Sequence, residues 1–75
     1  MRASVCRFKV GDEVLGRDKV HAFSGTVVFV SERKRVFVDF TYNEHSFQRE
    51  FYRDGTMVTY PKSSWRKLYL EKLNA

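Results

Sequence analysis

Hydrophobic and polar positions alternate along short stretches of this chain, and a period of two is typical of β-strands that bury one face. Residues 36–41 show it most clearly, with the sequence Val-Phe-Val-Asp-Phe-Thr. The apolar set of this stretch is predicted to face the core: Val36, Val38 and Phe40. The other set contains Asp39, so we expect Phe37 to point outward beside that aspartate.

Glycine, aspartate and asparagine residues separate the apolar runs and divide the chain into short strands. The predicted strands are residues 13–16, 25–31, 36–41, 47–53, 56–60 and 66–73. Residues 17–24 form a predicted polar loop, and Gly25 is predicted to mark a bulge or tight bend. Residues 32–35 are a predicted charged hairpin turn, and residues 43–46 a predicted loop.

Strong strand breakers follow the fourth predicted strand. Asp54-Gly55 predicts a type I′ turn, in which both central residues have positive φ. Pro61 ends the next strand because it has no N–H to donate. Residues 62–65 suit one helical turn before a closing strand. The alternative is an α+β arrangement, in which residues 62–73 form a helix on a three- or four-stranded sheet.

The strand pattern favours an all-β fold: a small antiparallel barrel of five to six strands with one short helical turn near the C-terminus. Closing the sheet removes exposed edge strands. The 75 residues are predicted to form one domain over residues 8–73, after a partly flexible N-terminal segment at residues 1–7. Trp65 is predicted either to plug one end of the barrel or to anchor a binding patch. The predicted inner lining is Val14, Val27, Val38, Phe40, Phe51 and Leu68.

Turn glycines and strand valines carry a family resemblance. The stretches concerned read Phe-x-Val-Gly-Asp-x-Val at residues 8–14, Gly-x-Val at 25–27, Val-x-Val-x-Phe at 36–40 and Phe-x-x-Asp-Gly at 51–55. They resemble the small SH3-like barrels of the KOW, Tudor and CarD-like kind, and the last stretch is similar to short barrel proteins of bacteriophages and prophages. The resemblance implies the barrel architecture over about residues 8–70, and it implies no particular activity.

Cysteine content and hydropathy bear on the compartment. The single cysteine, Cys6, cannot form an internal disulfide, and no apolar run approaches the roughly 18 residues of a membrane span. We therefore expect a cytoplasmic protein in a reducing environment, without a signal peptide and without membrane contact.

No residue pattern predicts catalysis or metal binding. His21 and His45 have no partners at metal-ligand spacing, and the acidic residues are scattered rather than paired. We expect a non-enzymatic binding module with no metal, no cofactor and no small-molecule substrate.

Positive charge points to a polyanionic partner. The net charge is +5, from 14 basic and 9 acidic residues, and it is spread along the chain. The densest cluster is the triplet Arg33-Lys34-Arg35 at a predicted hairpin tip, where three cations can bind nucleic-acid phosphates. A solvated turn is the simpler interpretation of the same triplet. The predicted footprint includes four further cations: Arg17, Lys19, Lys62 and Lys67.

Aromatic residues offer a second kind of surface. Four are predicted to be exposed: Phe23, Phe37, Tyr42 and Tyr52. Phe37 or Tyr52 is predicted to stack on bases; alternatively, the four form a patch for a partner protein, such as a host protein bound by a phage-type adaptor or inhibitor. Phe47, Arg49, Phe51 and Arg53 also alternate on one strand face, a pattern that suits single-strand binding. We expect Phe51 to be a core residue instead.

Overall fold

A computed structural model describes residues 7–58 and 67–73 of the chain. These residues form five antiparallel strands and no helix, so the all-β class is confirmed for them. The strands are β1 (Glu13–Arg17), β2 (Ala22–Val30), β3 (Val36–Tyr42), β4 (His45–Phe51) and β5 (Tyr69–Lys72). Within the described part of the chain, no helix is long and apolar enough to cross a membrane.

The sheet order is β4-β3-β2-β1-β5, which places the last strand beside the first. The two outer strands, β4 and β5, are not paired with each other. The described residues therefore form an open five-stranded sheet rather than the predicted closed barrel. Two isolated bridges lie in that opening: Phe51 pairs with Met57, and Thr56 pairs with Tyr69. Residues 56–57 therefore touch both outer strands.

The core forms on one face of the sheet. All six predicted lining residues are buried, which confirms that part of the prediction. Four further residues complete the cluster: Phe8, Val36, Met57 and Leu70. On β3 the predicted alternation is confirmed, because Val36, Val38 and Phe40 are all fully buried.

Phe40 explains why glycines stand on the neighbouring strands. A Cβ at Gly25 would lie 2.6 Å from the Phe40 ring, and one at Gly16 would lie 2.7 Å from it. Both positions therefore leave room only for hydrogen. The bulge predicted at Gly25 lies further along β2, because the register with β3 shifts between Val27 and Phe29.

The structure moves several predicted boundaries. β2 begins at Ala22, three residues earlier than predicted, because residues 22–24 pair with β1. His45 and Ser46 belong to β4 rather than to a loop. The two-residue turn before them is Asn43-Glu44, with φ of 50° and 68°.

The second predicted turn also differs. Of Asp54 and Gly55, only Gly55 has positive φ, at 98°, so the turn is not type I′. Thr56 and Met57 form isolated bridges instead of starting a described strand. β5 is a strand as predicted, so a helix through residue 73 is wrong for Tyr69–Lys72. The predicted helical turn at 62–65, Trp65 and residues 1–6 lie outside the described ranges.

Candidate nucleic-acid interface

The β2–β3 hairpin presents the basic triplet on a well-bonded turn. The Ser31 amide donates to the carbonyl oxygen of Arg35 (2.9 Å), and the Lys34 amide donates to that of Ser31 (2.9 Å). The Arg35 amide donates to the Ser31 hydroxyl at 3.0 Å. Lys34 adopts a φ of 65°, which completes the reversal of the chain. Arg33 and Lys34 are therefore held, exposed, at the apex.

A second turn adds a cation that the predicted footprint omitted, Arg53. The Tyr52 amide donates to Thr56 (2.7 Å), and the Gly55 amide donates to Tyr52 (2.9 Å). The Asp54 carboxylate accepts hydrogen bonds from the Thr56 hydroxyl (2.7 Å) and amide (2.9 Å). These two bonds lower the pKa of Asp54 below its ordinary value. The carboxylate is thus engaged with Thr56, while Arg53 stays exposed.

The two turns enclose a surface depression of about 490 Å³. Its lining residues are Arg33, Lys34, Arg35, Tyr52, Arg53, Asp54 and Thr56. We call the four cations together with Tyr52 the basic tip. Four positive side chains facing one carboxylate give this depression a positive potential, which favours a polyanion.

Arg35 is the fixed member of the basic tip. Its Nη1 lies 2.7 Å from Oε2 of Glu50, and its guanidinium stacks over the Tyr52 ring at 4.7 Å from the centroid. By contrast, Arg33, Lys34 and Arg53 form no salt bridge with any residue in the described ranges. Three cations are therefore available to an incoming anion.

A second depression, of about 440 Å³, lies beside the same hairpin. It is lined by Ser31, Glu32, Arg33, Arg35, Phe37 and Glu50. We call it the outer depression. Phe37 lies beside Phe29, with ring centroids 5.6 Å apart at 48°. Arg33 lines both depressions, so cationic and aromatic groups meet at the hairpin.

Three of the other predicted cations, Arg17, Lys19 and Lys67, do not join the basic tip. Arg17 pairs in register with Ala22, the first residue of β2, whereas the basic tip follows the last. Nine strand residues separate the two ends by roughly 26 Å of contour. Arg17 is bound to Glu71 at 3.3 Å. Lys19 follows Arg17 in the β1–β2 connection, Lys67 precedes β5 at the same end, and Lys62 lies outside the described residues.

An aromatic cleft of about 390 Å³ occupies that opposite end. Its lining is His21, Phe23, Tyr42, His45, Phe47, Arg49 and Leu68. Phe23 meets Tyr42 and Phe47 edge-on, with centroids 5.3 and 5.6 Å away. Arg49 lies over the Phe47 ring at 4.9 Å, and its partial burial lowers the pKa of its guanidinium.

The four predicted exposed aromatics are distributed over three places. Phe23 and Tyr42 share the aromatic cleft, Phe37 contacts Phe29, and Tyr52 lies under Arg35. A single four-residue patch is therefore not assembled. Phe29 was missed because the run Val27–Val30 is apolar at every position and carries no alternation to assign a face.

Searches for related proteins add no family. The chain matches no protein-family model, no curated protein and no solved structure. Among the described residues, no three histidine, cysteine, aspartate or glutamate side chains cluster as metal ligands would. The two ends of β2, the basic tip and the aromatic cleft, are therefore the candidate binding sites among the described residues.

Proposed function

We propose that this protein is a non-enzymatic nucleic-acid-binding module that contacts the phosphate backbone through the basic tip. The observation that carries the proposal is the convergence of Arg33, Lys34 and Arg53 on one depression without a salt bridge to any residue in the described ranges. A cation that has no internal salt bridge can neutralise a phosphate, and release its counterion, without first breaking a salt bridge within the protein.

The proposed architecture is an SH3-like barrel closed through residues 56–57. Supporting this, the Val58 amide donates to the Glu50 carbonyl of β4 (2.9 Å), and the Leu70 amide of β5 donates to Gly55 (2.8 Å). These bonds and the two isolated bridges link both outer strands to the same short segment. A closed scaffold holds the two turns of the basic tip at a fixed separation, so that they act as one surface.

Tyr52 and Arg35 form the floor of the proposed phosphate site. The Tyr52 ring supports the Arg35 guanidinium, and Glu50 fixes its orientation. Because Arg35 already forms a salt bridge with Glu50, its main role in this proposal is to hold the shape of the site rather than to add positive charge. Arg33, Lys34 and Arg53 are the residues that bind phosphate in this proposal.

A salt series with matched single variants tests the proposal. Lys34→Asn suits the positive φ at the apex, and Lys19→Asn removes the same charge at the opposite end of β2. Fluorescence anisotropy with a labelled oligonucleotide, from about 50 to 200 mM salt, gives Kd and its salt slope. We expect Lys34→Asn to weaken binding about fivefold and to reduce the slope by about one unit.

Lys19→Asn is expected to leave both quantities nearly unchanged. Equal losses in the two variants, or binding that ignores salt, reject the basic tip as the phosphate site.

A second candidate function is binding of a partner protein through the aromatic cleft. Tyr42 is half exposed at its rim and meets Phe23 edge-on, and exposed aromatic rings are enriched at interface hot spots. Substitution of Tyr42 by alanine separates the candidates: it abolishes capture of a protein partner and leaves oligonucleotide binding intact.

A further inference from the structure

The β-bulge in β2 turns one phenylalanine out of the core. Val27 pairs with Val38, and the next register pair is Phe29 with Phe37, so Val28 has no partner across the ladder. The shift keeps Val27 inside and places Phe29 on the outer face, 55% exposed. The other six phenylalanines of the chain are buried or half-buried. Bulges are often found where a binding site needs a side chain re-aimed.

The exposed ring of Phe29 lies beside Phe37. Phe29 and Phe37 present two rings on the outer face, and Phe37 lines the outer depression together with Arg33. Of the two acids in that lining, Glu50 is bound to Arg35, which leaves Glu32 at the turn as the repulsive group. The outer depression thus combines the Phe37 ring with Arg33, which belongs to the basic tip as well and has no salt bridge to the described residues.

We infer that this protein selects single-stranded nucleic acid, by stacking an unpaired base on the Phe29–Phe37 pair while the adjoining phosphates lie on the basic tip. The inference rests on the proposed function. Base–aromatic stacking needs an accessible π-face, which a single strand offers and the interior of a duplex does not. The outer depression is of the size that takes one small ligand group, and Arg33 bridges the two contacts.

Matched leucine variants test the inference. Phe29→Leu removes the ring and keeps an apolar side chain, and Tyr42→Leu does the same for a ring of similar exposure in the aromatic cleft. Anisotropy titrations use a single-stranded DNA, a single-stranded RNA and a duplex of the same sequence. We expect Phe29→Leu to weaken both single strands about fivefold or more, with the duplex changed less than about twofold.

Phe29→Trp restores a stacking surface and is expected to return single-strand affinity to the wild-type range. Tyr42→Leu is expected to change none of the three. Thermal denaturation of each variant checks that the fold is intact.

Photocrosslinking of the unmodified protein gives a readout that does not depend on variant folding. A 5-iodouracil-substituted strand is expected to crosslink at Phe29 or Phe37, and crosslinks at Phe23 or Phe47 overturn the inference. Equal losses for strand and duplex in Phe29→Leu also overturn it while leaving the proposed function standing. If Lys34→Asn has no effect in the same assays, the proposed function itself fails.

Discussion

Both ends of β2 place cations beside aromatic rings, yet they use the cations differently. At the basic tip, Arg33 and Lys34 sit on a hydrogen-bonded turn with no salt bridge to the described residues. At the aromatic cleft, Arg17 is bound to Glu71 and Arg49 is partly buried over the Phe47 ring. The first arrangement leaves charge available to a ligand, whereas the second uses it within the fold.

The difference shows that local pairing, more than the number of charges, decides which cations are available to a ligand. Basic residues occur along the whole chain, so the sequence alone predicts a nucleic-acid contact surface that is spread over the protein. Backbone turns concentrate only part of that charge into one surface. Variants that act on one end and spare the other are therefore the most informative.

The largest effect is expected from a variant that destabilises the sheet supporting both the basic tip and the aromatic cleft. Phe40 packs on Gly16 and Gly25 and contacts the rings of Phe47 and Phe51, so it supports every strand that leads to either site. We expect Phe40→Ala to lower the free energy of unfolding by about 3–5 kcal/mol. Urea denaturation measures the loss. A change below about 1 kcal/mol would contradict the central position of this ring.

Removing two cations from one end, compared with removing two from the other, is expected to give the next largest effect. The double variant Arg33→Ser, Arg53→Ser removes two exposed cations from the basic tip, and Arg17→Ser, Lys19→Ser removes two from the other end. We expect the first to weaken oligonucleotide binding about 25-fold near 0.1 M salt and to reduce the salt slope by about two. The second is expected to stay within about twofold, and a reversed order refutes the assignment.

Glu50 tunes the basic tip in the opposite direction. Its carboxylate lies 2.7 Å from Arg35 and lines the outer depression. Glu50→Gln removes that negative charge, and we expect binding to tighten about threefold at low salt. The matched control is Glu71→Gln, which frees Arg17 at the other end and is expected to change nothing. Weaker binding by Glu50→Gln would mean that the fixed orientation of Arg35 matters more than its charge.

The smallest effect concerns acid stability. Hydrogen bonds from Thr56 lower the pKa of Asp54 in the folded state, and one from the Lys9 amide does the same for Asp12. A carboxyl whose folded pKa lies below its unfolded value stabilises the fold above that unfolded value, and the contribution is lost as the pH falls through the folded pKa.

We therefore expect the free energy of unfolding to decrease as the pH falls below about 4, with Asp54→Asn showing a shallower decrease. Chemical denaturation of the wild type and the variant at several pH values measures the free energy of unfolding. An unchanged pH profile in the variant would exclude Asp54 as a source of the dependence.

Alternation predicted the inner face of β3 correctly, because Val36, Val38 and Phe40 have a polar residue among their neighbours to set the phase. The start of β2 was missed because Ala22, Phe23 and Ser24 look like a loop in isolation. Their strand conformation depends on pairing with β1, which is a contact between distant residues.

The turn-forming residues of the sequence predicted where the chain reverses better than they predicted the φ angles of the turns. Asn43-Glu44 forms the two-residue turn with positive φ although it lacks glycine, and Asp54 instead bonds to Thr56. For the site, the triplet at the hairpin was visible in the sequence. Arg53 was noted only as part of the alternating strand pattern, and Phe29 was not singled out, because their placement depends on the second turn and on the bulge.

The most direct test is an NMR titration of the ¹⁵N-labelled protein with a single-stranded oligonucleotide. We expect the largest amide shift changes in residues 31–37 and 52–56, around the basic tip and the outer depression. Shift changes concentrated instead at Phe23, Tyr42 and Phe47 would contradict it, since they would place the nucleic acid in the aromatic cleft.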